Sequence, residues 1–71
     1  MRLSDRAELI EVMASTIPDD IDLENSRQTS DYLVSMAAVA GYTLSEISRD
    51  YDSIVERAAE MRKDRADARA F

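Results

Sequence analysis

Pro18 and Gly41 are the one proline and the one glycine in 71 residues, and they divide the chain into three segments. So few turn residues cannot supply the hairpins of a multi-stranded β fold, whereas three helices need no more. An apolar share of 45% with 34% charged residues fits a folded helical chain better than a disordered one. The length allows a single domain over residues 1–71 with one small core, and a domain of that size is marginal on its own.

Each segment carries helical signals. In the first, Ser4 is placed to cap, with Asp5 and Glu8 in the first turn. Leu3, Ala7, Ile10, Ala14 and Ile17 follow helical spacing, and Leu9, Val12 and Met13 widen the stripe. Pro18 ends it, which predicts a helix over about 4–16. Residues 18–24 read as an acidic linker in which Ile21 and Leu23 alternate with acids. A second helix over about 25–40 follows, capped by Asp22, Asn25 or Ser26. Its body from Tyr32 to Ala40 is apolar almost all round, and Gly41 stands where a left-handed residue closes a helix.

The third start is the clearest. Thr43-Leu-Ser-Glu46 is a capping box, with Tyr42 and Ile47 at the spacing of a hydrophobic staple. The helix is predicted over about 43–68, with an end that frays over 63–71. Leu44, Ile47, Tyr51, Ile54, Ala58 and Met61 keep a 3-4-3-4-3 spacing, a heptad seam. Such a helix is about 40 Å long, against about 20 Å for the first. The long helix therefore outruns its domain, and the seam is expected to join two copies in a dimeric, all-α assembly.

Composition excludes much chemistry. With no cysteine and no histidine there are no disulfides, thiolate nucleophiles, Cys/His zinc sites or Ser–His–Asp triads. Paired carboxylates such as Asp19/Asp20 and Glu56/Glu60 lack a pocket that would make them an acid–base dyad. An enzyme is not expected, nor a metal or a cofactor. The net charge of −6 disfavours a nucleic-acid backbone. It is uneven: residues 1–43 hold three arginines against eight acids, residues 44–71 six bases against seven acids. No apolar run approaches the roughly 18 residues of a membrane helix, and Met1 to Ile10 mixes acids with arginines. A cytoplasmic protein without membrane attachment is the expectation.

Three stretches resemble known motifs. Asp20, Asp22, Glu24 and Asp31 fall at the first, third, fifth and twelfth positions of an EF-hand calcium loop. Asn25 replaces its glycine, Arg27 its apolar residue and Asp31 its bidentate glutamate. Asp52-Ser53-Ile54 resembles the Asp-Ser-Leu of acyl carrier proteins, and Ile17-Pro-Asp-Asp20 a carrier loop. The order differs, since carriers place two more helices after that serine. Ala37 to Ser48 resembles the entry to a bacterial helix-turn-helix, with Arg57, Arg62, Lys63, Arg65 and Arg69 available for phosphate. There Arg49-Asp-Tyr-Asp-Ser offers no second turn.

As a class, the size, acidity and lack of chemistry resemble the small inhibitors and anti-activators encoded by phages and mobile elements. The expected function is accordingly that of a non-enzymatic homodimer that binds another protein with a basic or mixed surface and modulates its activity, with inhibition the favoured form. A helix-turn-helix regulator is the alternative. The expected contact patch combines the acidic field of Glu8, Glu11, Asp19, Asp20, Asp22 and Glu24 with apolar anchors at Leu9 and Val12.

Overall fold

The computed structural model describes residues 4–69, with side chains from Arg6 to Ala68. Within that span the chain forms three helices and no strand: α1 (Ser4–Thr16), α2 (Ser26–Ala40) and α3 (Leu44–Arg69). The boundaries lie within one residue of those the sequence predicts. Leu3 and the side chains of Ser4, Asp5 and Arg69 lie outside the described residues.

The punctuation works as local chemistry dictates. Asn25 caps α2, its side-chain oxygen accepting from the Gln28 amide at 3.1 Å. Gly41 closes α2 in the left-handed region at φ 88°, where its own amide and that of Tyr42 both donate to the Ala37 carbonyl at 2.9 Å. Thr43 and Glu46 form the reciprocal box. The Thr43 hydroxyl oxygen accepts from the Glu46 amide at 3.2 Å, and the Glu46 carboxylate accepts from the Thr43 amide at 2.9 Å. That amide bond holds the Glu46 carboxyl below the usual carboxylate range.

The helices run up, down and up. Arg6 meets Asp50, Glu11 meets Arg57 and Asp19 meets Arg65, so α1 and α3 are parallel. Tyr32 of α2 donates its hydroxyl to the Thr16 carbonyl, and Tyr51 of α3 donates to the Ser26 carbonyl at 3.3 Å. Those bonds set α2 antiparallel to both. Leu9, Met13, Ala14 and Ile17 of the first segment, Leu33 and Ala37 of α2, and Ile47, Ile54 and Ala58 of α3 make the core.

Two packing expectations are corrected. On α1 the inner face passes through Leu9 and Met13, while Ala7 is exposed and Ile10 half-buried. On α3 the buried line is Ile47, Asp50, Ile54 and Ala58, continued by the half-buried Met61. Leu44 is 61% exposed and Tyr51 only half-buried. A straight helix has 3.6 residues per turn and drifts off a strict heptad, so its inner line rotates away from Leu44 and Tyr51.

The long helix also does not leave half its seam bare. Ile47, Ile54 and Ala58 are already covered within one chain, and Arg62 and Arg65 still touch the 17–25 loop. Side chains from Lys63 to Ala68 are all exposed, yet the segment stays helical through Arg69. Of the six seam residues, Ile47, Ile54 and Ala58 are thus buried within one chain, Tyr51 and Met61 are half-buried and Leu44 is exposed.

Candidate functional site

Charged side chains of α1, the linker and α3 find one another. Asp50 has 0% side-chain exposure, and it accepts from Arg6 Nε at 2.8 Å and from Arg49 Nε and Nη2 at 3.1 and 2.8 Å. The Arg49 bonds, with Arg6 behind them, hold the Asp50 carboxyl below the usual range despite burial. Further along, Arg57 bonds Glu11 and, at 3.4 Å, Glu60. Arg62 donates through Nη2 to the carbonyls of Pro18 at 2.7 Å and Ile21 at 2.8 Å. Its buried Nε makes no hydrogen bond, but the Asp19 carboxylate stands 3.8 Å away and is shared with Arg65.

This ladder alters both expected surfaces. Glu11 and Asp19 of the acidic field are engaged by α3, whereas Glu8, Asp20, Asp22 and Glu24 remain exposed. Leu9 is 1% exposed and Val12 half-buried. Leu9 therefore cannot anchor a partner, because the core has taken it. On the other side, Arg57, Arg62 and Arg65 bind their own chain rather than presenting guanidinium groups for phosphate.

The apolar surface lies elsewhere. Between α2 and α3 a groove of about 300 Å³ is lined by Ser30, Val34, Leu44, Ile47, Ser48 and Tyr51, with no charged side chain among them. Val34 is 44% exposed at its edge. A second, shallower groove lies between the linker and α3, lined by Asp22, Leu23, Glu24, Val55, Ala59 and Arg62. On α3 the two share one line: residues 44, 48, 51, 55, 59 and 62 recur at intervals of three and four, beside the core line. Sequence reading assigned Leu44 and Tyr51 to a dimer seam and overlooked Val34, Val55 and Ala59. The signal was a second set of apolar residues at helical spacing, hidden because it shares Leu44 and Tyr51 with the heptad.

The motif look-alikes have structural roles. Asp22 accepts the Glu24 amide at 3.0 Å, and its carbonyl accepts the hydroxyl of the buried Thr29 at 3.1 Å. These bonds make the linker a tight turn feeding α2, and the described residues contain no group of three acids placed to hold a metal ion. Ser53 lies mid-α3, half-buried beside the fully buried Ile54. The helix-turn-helix likeness stops at α3, which runs without a break from Leu44 to Arg69. No helix among the described residues is long and apolar enough to cross a membrane. No protein-family model matches the chain, and no match was found among curated proteins or solved structures.

Proposed function

We propose that this chain is a small non-enzymatic protein that binds another protein and inhibits it by covering part of its surface. The observation that carries the reading is the uncharged groove between α2 and α3, with Leu44 and Val34 exposed at its edge. In a chain with a net charge of −6, an apolar face free of charged side chains is the place where a partner can displace water without stranding a charge. The exposed acids Asp20, Asp22 and Glu24 steer a basic or mixed surface toward it. A homodimer is not required, since the core closes within one chain.

The regulator reading has less support, because three of the five basic residues it relies on are engaged intramolecularly. Photo-cross-linking in host cells, with a reactive residue at position 44, is the direct test. One discrete protein adduct that vanishes in the Val34→Glu background is the expected result. Absence of any adduct, together with tight duplex DNA binding that weakens steeply as salt is added, would falsify it.

A further inference from the structure

The two grooves along α3 differ in charge, and that difference describes what fits them. The first, at the α2–α3 turn, is uncharged and apolar around Leu44 and Tyr51. The second, further along the same face of α3, is apolar at Val55 and Ala59, carries Asp22 and Glu24 on its linker lip, and is also lined by Arg62, whose guanidinium donates to the Pro18 and Ile21 carbonyls. From residue 44 to residue 59 the line is about 22 Å long, four turns of helix. Grooves of this shape, between packed helices and apolar along one line, take the apolar face of another helix.

Building on the protein-binding reading, we infer that the partner presents one amphipathic helix. Its apolar residues at i, i+4, i+7 and i+11 lie along the Leu44–Ala59 line, and basic residues at one of its ends lie over Asp22 and Glu24. Charge complementarity selects this occupant over a second copy of the chain, whose exposed acids would meet the same acidic lip. Leu44 and Val34 supply contact area that the fold itself leaves unused.

The probe is a fluorescein-labelled 18-residue peptide of Leu, Ala and Gln with Leu at those four spacings and three Lys at one end. A companion peptide carries Glu in place of Lys. The Lys-ended peptide is expected to bind at least tenfold more tightly than the Glu-ended one, and the double variant Asp22→Lys/Glu24→Lys should reverse that order. Leu44→Glu and Val34→Glu change exposed side chains, so the fold is retained, and each should weaken binding at least tenfold. Amide shifts on binding should map to Val34, Leu44, Tyr51 and Val55.

Binding of neither peptide, equal binding of both, or shifts centred on α1 would overturn the inference. So would a wild-type dimer in sedimentation that Leu44→Glu converts to monomer, because a second copy would then fill the groove. A cross-linked partner that persists in the Val34→Glu background would sink the groove while leaving the protein-binding reading intact.

Discussion

Asp50 is the residue whose placement least resembles its chemistry: a carboxylate with 0% exposure in the middle of an apolar line. It is stable there because Arg6 and Arg49 bring three charge-assisted hydrogen bonds to it from partly exposed positions. Asp50→Asn loses the charge on one side only, and both arginines can turn to water. The expected cost at pH 7 is about 1–3 kcal/mol, read from urea melts. Since the folded-state pKa is depressed, the carboxylate stabilises the fold above its unfolded pKa of about 3.9, and that contribution fades as pH falls through the lower folded value. The wild type should therefore lose stability below about pH 4 more steeply than Asp50→Asn. At the start of α3, Thr43→Ala removes the acceptor for the Glu46 amide and should cost about 1 kcal/mol. For a domain of this size that lowers the melting temperature by roughly 4–8 °C, and an unchanged thermal melt would show that the box is dispensable.

The helices and their ends were legible because their determinants are local. Pro18, Asn25, Gly41 and the Thr43–Glu46 pair each act within four residues of themselves, so the sequence displays both cause and effect. Which face of α3 turns inward was not legible. Arg6 reaches Asp50, and Glu11 reaches Arg57, across 44 and 46 residues of sequence, and a carboxylate such as Asp50 is ordinarily exposed. For the same reason Glu11 and Asp19 on one side and Arg57, Arg62 and Arg65 on the other looked like parts of two rival binding surfaces rather than rungs of one ladder. The linker shows the difference in a single residue. Arg62 ties the Pro18 and Ile21 carbonyls to α3, and nothing near position 62 foretells it. Arg62→Ala should cost about 1–3 kcal/mol. Hydrogen exchange should accelerate at the Ile21 and Asn25 amides, which donate within the linker, and stay unchanged at Gly41 and Tyr42. Uniform acceleration across the chain would mean that Arg62 stabilises the whole fold rather than the linker.

At the scale of the molecule, about 41 × 27 × 19 Å, one layer of side chains separates the helices, so the core tolerates little. Ile54 is fully buried at its centre. Ile54→Ala should cost about 2–5 kcal/mol, and Ile54→Asp should leave an unfolded chain by circular dichroism rather than a folded monomer released from a dimer. A folded, stable Ile54→Asp protein would show that the core is misassigned. The parallel pairing of α1 with α3 has a consequence for how the protein is made. Rungs of the ladder join residues 44 and 46 positions apart, so α1 emerges from the ribosome well before the helix that covers it. At about 5–20 residues per second that delay lasts on the order of seconds. Throughout it, Leu9 and Met13 face water, chaperones and proteases with α2 alone for cover. Folding thus waits for α3 to be made, and pausing the ribosome inside α3 should leave a nascent chain as protease-sensitive as one that has no α3 at all.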